Sequence, residues 1–365
     1  MKSHNRLFEK ITGFENLLMA ARKAQKAKRF KPATARFNLE LEKNLIALQR
    51  ELQSGTYRHG AYRDFVILDP KKRLISAAPY RDRVVHHGLC NVIEPLFDKT
   101  FIFDSYACRR GKGTHAAIRR YSAFAGQCRF VLKCDIQKYF QSIDHDILLN
   151  MVAKRIRCRR TMALIEEIIR SRTDNRIAHY FPGDDIFSPY QRNRAIPIGN
   201  LTSQFFANVY LNGFDHFVKE RLRRRHYIRY VDDFVIFGDD SRDLYKIRER
   251  LSDYLAGLRL KLHPRKSRVY RVTDGVAFLG FRIFPTHRLL DRRNALRMRR
   301  RLLQWQSLYA HGHIDLGYIH PRIQSWIAHA SHADTYRLRE RLFGNVAFHR
   351  GEADNAAGRL VEQPC

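Results

Sequence analysis

The chain lacks any apolar run approaching the about 18 residues needed to span a bilayer as a helix, which sets aside a helical membrane protein. Its opening residues, Met1-Lys2-Ser3-His4-Asn5-Arg6, contain no apolar signal-peptide core. The six cysteines (Cys90, Cys108, Cys128, Cys134, Cys158, Cys365) form no Cys-x-x-Cys pair, so a zinc ribbon or disulfide framework is not expected. Reduced thiols and a cytoplasmic location are. The Gly-Lys in Arg109-Arg110-Gly111-Lys112-Gly113-Thr114-His115 lacks P-loop spacing and reads as a tight basic turn. No internal repeat is visible. Acid is scarce as well: 36 Asp and Glu stand against 68 Lys and Arg, a formal net charge of +32. Charge of that size implies a polyanionic partner without specifying a fold. With 365 residues, 44% of them hydrophobic, the chain can bury a large core in about two to three domains.

Against that basic background the few clustered acids are informative. Ile228-Arg229-Tyr230-Val231-Asp232-Asp233-Phe234-Val235-Ile236-Phe237 places two adjacent carboxylates between two apolar runs rich in β-branched and aromatic residues, the pattern of a tight β-hairpin. Neighbouring acids repel, and a divalent metal would offset that cost; a solvated Asp-Asp turn is the plain alternative. A third acid, Asp135, ends the apolar run Arg129-Phe130-Val131-Leu132-Lys133-Cys134-Asp135, which reads as a short buried strand. A carboxylate there must be paired or metal-bound, because burying it alone is expensive. Asp239-Asp240 repeats the pair beyond the following strand and reads as a charged loop.

In this order, Asp135 and the box Tyr230-Val231-Asp232-Asp233 resemble the metal-binding motifs of reverse transcriptases. The resemblance runs from roughly Leu48 to Phe343. It implies an α+β fold of the right-hand polymerase type, with fingers, an antiparallel-sheet palm and a helical thumb. It further implies two Mg²⁺ ions, with Mn²⁺ as a substitute, held by Asp135, Asp232, Asp233 and the backbone of Ile136. In many relatives the residue matching Asp233 contributes less to direct ligation than the other two. Asp69-Pro70-Lys71-Lys72-Arg73-Leu74-Ile75 and Pro79-Tyr80-Arg81-Asp82-Arg83 are similar to the fingers block, which places Lys72, Arg73 and Arg83 on the dNTP phosphates. Arg73 leads, since a planar guanidinium grips phosphate bidentately; Arg83 could equally pair with Asp82 or a neighbouring acid. Phe140 falls where the family places the ring that excludes a ribose 2′-hydroxyl, with an ordinary core aromatic beside Tyr139 as the alternative. Lys266 matches a lysine near the pyrophosphate leaving group, a candidate general acid.

Gly199 to Gln204, in Ile196-Pro197-Ile198-Gly199-Asn200-Leu201-Thr202-Ser203-Gln204, offers a glycine for close backbone approach and polar groups (Ser203, Gln204) near the base and template. Asn200-Leu201-Thr202 also spells a glycosylation acceptor, irrelevant to a cytosolic chain. Many bacterial relatives carry Ser-Pro in place of Ser203-Gln204. The Ser-Gln form is similar to enzymes of diversity-generating retroelements, which implies copying errors at template adenines and a small, basic, oligomeric accessory protein. Retron, group II intron-like and phage-defence enzymes are the alternatives, with a catalytically silent RNA-binding protein as the non-enzymatic one. Template RNA, the RNA–cDNA duplex and dNTPs are the implied partners.

The expected organisation is a basic helical N-terminal extension (1–45), fingers (46–129), palm (130–285, with 155–190 as a fingers insertion), thumb (286–343) and an aperiodic tail (344–365) with no room for a further nuclease domain. Leu17 to Ala21 followed by Arg22-Lys23-Ala24-Gln25-Lys26-Ala27-Lys28-Arg29 predicts a helix with one cationic face. Thr173 to Arg194 is turn-rich and predicts a surface loop. Val276 to Ile283 resembles the hairpin that grips the primer end, with Gly280 at its turn and Tyr230 also near nucleic acid. From Arg292 a basic helix carries Arg297, Arg300 and Arg301 toward phosphates, and a later single helix is expected from Trp326 to Arg339. His329 and His332 on it read as packed or capping residues rather than a metal pair.

Overall fold

The apolar runs flanking the acids become the central sheet. In this computed structural model, which describes residues 6–68, 72–174 and 179–350, the protein has an α+β fold. Met1 to Asn5, Asp69-Pro70-Lys71 of the fingers block, residues 175–178 of the turn-rich segment, and the tail from residue 351 including Cys365 lie outside the described residues. The chain divides into two compact units: Met1–Ala117 with Phe130–Tyr270, and Ile118–Arg129 with Arg271–Cys365.

In the first unit, β1 (Arg63–Ile67) and β2 (Arg73–Ala77) form an antiparallel ribbon, Arg63 opposite Ala77 and Ile67 opposite Arg73. β3 (Phe130–Asp135), β4 (Tyr227–Tyr230), β5 (Asp233–Gly238) and β6 (Arg268–Arg271) form a sheet in the order β4-β5-β3-β6. β5 is antiparallel to both of its neighbours. Its central residues Phe234 to Phe237 are all buried, so the strand reads as a continuous apolar run rather than an alternating one. The helix Ser241–Gly257 packs on β3 and β5 through Leu244, Ile247, Leu251 and Leu255, one stripe at helical spacing. Asp240 caps that helix by accepting from the Arg242 amide, which accounts for the second Asp-Asp pair.

The helix Leu201–Tyr210 is buried along nearly its whole length and packs against the helix Tyr80–Asp98. The helix Phe14–Ala24 packs on Tyr80–Asp98 from another side, burying Leu17, Ala20, Ala21 and Ala24. A Cβ at Gly88 would meet Leu17 Cδ2 at 3.4 Å and the Ile11 carbonyl at 3.6 Å, so this packing is backbone-close. The segment read as a basic N-terminal extension thus contributes side chains to the core, each buried leucine worth about 2 kcal/mol. Arg22 and Lys23 stay on its exposed face. The Arg109 turn is structural: its guanidinium binds Asp98 and the carbonyls of Ile102 and Ser105.

In the second unit, β7 (Val276–Phe278), β8 (Phe281–Ile283) and β9 (Arg288–Leu290) form an antiparallel meander. Its first turn has Leu279 at φ 48° and Gly280 at φ 90°, the positive pair of a tight two-residue hairpin. Tyr121 stacks on Phe278, ring centroids 5.1 Å apart. Met298, Leu302 and Trp305 of the helix Arg292–Ala310 bury against Ile319 of the helix Leu316–Ala330. The single helix expected from Trp326 to Arg339 is two: Leu316–Ala330 and Tyr336–Phe343. The break has a local cause, since Thr335 Oγ1 donates to the Ala330 carbonyl and the Asp334 amide donates to Arg288. Both bonds compete with continuation of the helix. His329 packs on Phe281, centroids 4.8 Å apart. Among the described residues no helix is long and apolar enough to cross a membrane.

Candidate active site

The ends of three backbone segments bring the acids together. β3 pairs with β5 so that Asp135 stands opposite Asp233, and Tyr230 of β4 faces Asp233 from the other side. Asp232 occupies the turn between β4 and β5, where its carbonyl accepts from the Ile136 amide at 3.3 Å. The Asp135 carbonyl accepts from the His263 amide at 2.7 Å, and Gln137 N–H donates to Lys261 at 2.8 Å, so the strand end is held by the 261–263 segment as well. That segment leads to Lys266, whose ammonium forms a direct ion pair with the Asp135 carboxylate. Two residues nearly a hundred positions before and some thirty positions after the Asp-Asp box therefore meet it.

Charge at this point is unbalanced. Burial, followed by repulsion from Asp233 and Asp135, pushes the Asp232 carboxyl up to about 6. Burial also raises Asp233, with Lys133 opposing and Asp135 reinforcing the rise. Among the described residues no three His, Cys, Asp or Glu side chains are already disposed as a metal cage, and the Asp135 carboxylate is engaged by Lys266. The donor set nevertheless fits a hard divalent ion. Asp232 and Asp233 are each repelled by Asp135 and pushed toward protonation, a cost that a cation would offset, and oxygen donors of this type suit Mg²⁺.

Beneath the turn lies a second charged group that the sequence reading did not single out. Arg229 is fully buried in β4 and binds both carboxylate oxygens of Asp215 at 2.7 Å. Its remaining guanidinium nitrogen donates to Asn208 Oδ1 and to the carbonyl of Val231, each at 3.1 Å. Tyr227 Oη donates to Asp215 at 2.7 Å. Burial opposes the charge of Arg229, but the Asp215 carboxylate overcomes it and holds the guanidinium more firmly protonated than usual. Val231 adopts φ 58°, an unfavourable backbone for a β-branched residue. The Arg229 bond to its carbonyl therefore fixes the turn that carries Asp232. A charged residue inside an otherwise apolar strand was the available signal.

The other proposed residues sort by position. The Ser76 amide donates to the Ile198 carbonyl at 3.0 Å, and Asn200 grips β2 from both sides, Nδ2 to Ser76 O at 2.9 Å and Oδ1 from Ala78 N at 3.2 Å. These bonds tie the strand that begins at Arg73 to the Gly199 segment. Gly199 sits at φ 114°, and a Cβ there would stand 2.8 Å from Ile75 Cγ2. Asn200, read in the sequence only as a glycosylation acceptor, is the clamp. Lys72 and Arg73 are exposed. Ser203 is 2% exposed, so of the Ser203-Gln204 pair only Gln204 presents its side chain at the surface. Arg83 does not pair with Asp82: it donates to the Ala78 carbonyl at 2.8 Å, while Asp82 accepts from Tyr57 and Gly60. Phe140 is half-buried against Tyr139, and Tyr230 Oη lies 3.0 Å from Thr114 Oγ1. Gly280, Arg297, Arg300 and Arg301 belong to the second unit.

The chain is similar to several known proteins. The family model described as reverse transcriptase (RNA-dependent DNA polymerase) matches residues 68–283, more than half of the chain. Protein YkfC of Escherichia coli K12 is 28% identical over 300 residues, 71% of this chain and 74% of that one. The group II intron-encoded protein LtrA of Lactococcus lactis is 23% identical over 180 residues, 48% of this chain and 28% of LtrA. An uncharacterized 91 kDa protein in a Schizosaccharomyces pombe cob intron is 23% identical over 273 residues, 58% of this chain and 32% of that protein. The matched region thus spans about a third or less of these intron proteins. Apo telomerase from Candida tropicalis superposes with a TM-score of 0.49 at 11% identity, over 78% of this chain and 60% of that one. The match from residue 68 to 283 includes all three converging carboxylates, and the chain belongs to the reverse transcriptase family of RNA-directed DNA polymerases.

Proposed function

We propose that this chain extends a primer 3′ end with dNTPs along an RNA template by two-metal nucleotidyl transfer, with its core acting as fingers, palm and thumb. The observation that carries the reading is the register that sets Asp135 opposite Asp233, with Asp232 on the adjoining turn. Asp135, Asp232, Asp233 and the Ile136 backbone would hold the ions. Bound Mg²⁺ supplies activation of the primer hydroxyl and stabilisation of charge on the transferred phosphoryl group. Lys266, already beside Asp135, is positioned to deliver a proton to departing pyrophosphate. Arg73, Lys72 and Arg83 serve the triphosphate, Arg73 as the bidentate contact. Gly199 and Gln204 serve the base and template, Ser203 supports their helix from within, and Phe140 screens the sugar. Tyr230, Gly280, Arg297, Arg300 and Arg301 contact the duplex. Purified protein given primed heteropolymeric RNA, dNTPs and Mg²⁺ should make cDNA, and Asp232→Ala should make none; full activity in that variant would end the assignment.

Within the family, the intron-encoded names among the relatives favour a group II intron-like enzyme. The diversity-generating reading, with its small basic accessory protein, retains one specific support: the Ser203-Gln204 sequence after Gly199. Sequencing the cDNA separates the two. Errors concentrated opposite template adenines favour diversification, and evenly distributed errors favour the intron-like enzyme.

A further inference from the structure

A pocket of about 560 Å³ lies in the first unit, and none of its lining residues enters the polymerase reading. That volume is within the range of about 300–1,000 Å³ that holds small organic ligands. Phe8, Leu52, Tyr57 and Leu164, all buried, give it an apolar floor. Two of its walls are the turn that follows the helix Leu41–Ser54 and the helix Arg159–Arg170. These walls are tied together. Glu167 accepts from the His59 amide at 2.9 Å, and Arg160 donates to the Gln53 carbonyl. Just past the helix end, Ser171 Oγ and Tyr62 Oη lie 2.8 Å apart, and Arg172 binds both carboxylate oxygens of Asp64 on β1 at 2.9 and 2.8 Å. The cavity is therefore preformed, and it sits at the root of the ribbon.

Two cations on its rim keep unused donors. Arg58 directs one guanidinium nitrogen to the Gly55 and Tyr57 carbonyls, at 3.2 and 2.8 Å, and Arg160 directs one to the Gln53 carbonyl. Both are exposed, and among the described residues neither forms an ion pair. The Arg160 guanidinium also lies over the Phe8 ring, 4.1 Å from its centroid, so charge and apolar floor adjoin. The lining acids are already engaged: Glu166 pairs with Arg170 at 2.8 Å, and Glu167 holds the His59 amide. We propose that this pocket binds a small amphipathic anion, its apolar ring or short chain on the floor and its carboxylate or sulfonate on Arg58 and Arg160. A bare inorganic ion would leave the floor unfilled, and a neutral apolar molecule would leave the guanidinium donors unmet. A ligand with both parts satisfies both surfaces. The proposal does not depend on the polymerase reading.

The probe is anilinonaphthalene sulfonate, whose fluorescence rises when its rings leave water, titrated into the full-length protein. A saturable site is expected, from which octanoate displaces the dye and from which octanol or inorganic phosphate displaces it at least about tenfold less well, since each lacks one half of the ligand. Arg58→Gln with Arg160→Gln should weaken dye binding by about tenfold or more, the scale of a lost charge-assisted hydrogen bond. Ala163→Trp, which adds a ring from an exposed lining position, should abolish it. The chain carries a net charge of +32, so a remote control is needed. Lys246→Gln with Arg250→Gln, on the exposed face of Ser241–Gly257, removes the same charge elsewhere and should leave binding unchanged. Melting temperatures matching the parent's show that the variants are folded. Parental dye affinity in both pocket variants, an equal loss in the remote pair, or displacement by octanol or phosphate as good as by octanoate would overturn the proposal. Primer extension by the parent chain, judged against Asp232→Ala, tests the polymerase reading separately, so either can fail without the other.

Discussion

Two charge clusters meet at one hairpin, through Arg229 on the one side and Asp232 and Asp233 within four residues of it on the other, and they are built on opposite principles. Arg229 and Asp215 are both fully buried and fully compensated: Nε and Nη2 of the arginine bind the two carboxylate oxygens, its Nη1 binds Asn208 and the Val231 carbonyl, and Tyr227 adds a bond to Asp215. Asp232 and Asp233 are half-buried, Asp135 is more deeply placed, and the three are under-compensated, with burial and mutual repulsion lifting Asp232 to about 6. The first cluster stabilises the turn only as a pair, since desolvation makes either member costly alone. The second stores repulsion that a divalent ion would relieve. A scaffold therefore satisfies its charges internally, and a site leaves them to its ligand.

The comparison breaks most sharply at Asp232. Asp232→Ala should reduce primer extension at least about a thousandfold, some 4 kcal/mol in transition-state terms, while the melting temperature stays level or rises because a repelling charge is gone. A fall in melting temperature matching the loss of activity would show that Asp232 is structural and that the two clusters are alike. The mirror experiment is Asp215→Asn, which leaves Arg229 buried without its counter-charge. Denaturant unfolding should then report a loss of about 3–5 kcal/mol. The double replacement Arg229→Met with Asp215→Leu should recover much of that stability, but extension should remain impaired because the Val231 carbonyl has lost its donor. Recovery of both would reduce Arg229 to packing.

These expectations also show what was readable beforehand. The converging acids were legible because each ends an apolar run, and a buried carboxylate at a strand end demands a partner. Arg229 carried the same signal inside the run Tyr227 to Tyr230. Its partners, however, come from Asp215 on a separate helix and from Asn208 within the buried helix Leu201–Tyr210, which periodicity cannot pair. Ser203 was misleading for a related reason: a hydroxyl one turn after a glycine reads as a ligand contact, but its helix is buried almost all round. The N-terminal helices were read through their basic residues, which are the exposed ones, while Ala20, Ala21 and Ala24 form the packing face. The helix break before Thr335 depends on a bond to Arg288 on a distant strand, and local sequence offers only weak capping residues there.

Gly199 extends the comparison to backbone. Like Val231 it holds a positive φ beside the proposed site, but it is tied down from β2 instead of by a buried charge. Gly199→Ala combines an unfavourable φ with a contact of 2.8 Å to Ile75, and should cost about 1–3 kcal/mol of stability. Extension should fall with it through displacement of the strand that begins at Arg73. A variant of full stability and full activity would show that the Ile198–Asn200 clamp is dispensable.

The smallest effect tests whether the under-compensated cluster really awaits a cation. In the metal-free protein Lys266 serves as the counter-ion of Asp135, and its side chain is 46% exposed, so the pair itself adds at most about 1 kcal/mol to stability. An ion entering among the carboxylates must displace or repel that ammonium. Lys266→Gln should therefore leave the unfolding free energy nearly unchanged and tighten Mg²⁺ binding several-fold, read by calorimetric titration or by the rise of melting temperature with added Mg²⁺. The opposite outcome, weaker Mg²⁺ binding, would mean that Lys266 orients Asp135 for the ion rather than competing with it. No Mg²⁺ response in the parent protein, with Asp232→Ala behaving identically, would remove the distinction between the two clusters altogether.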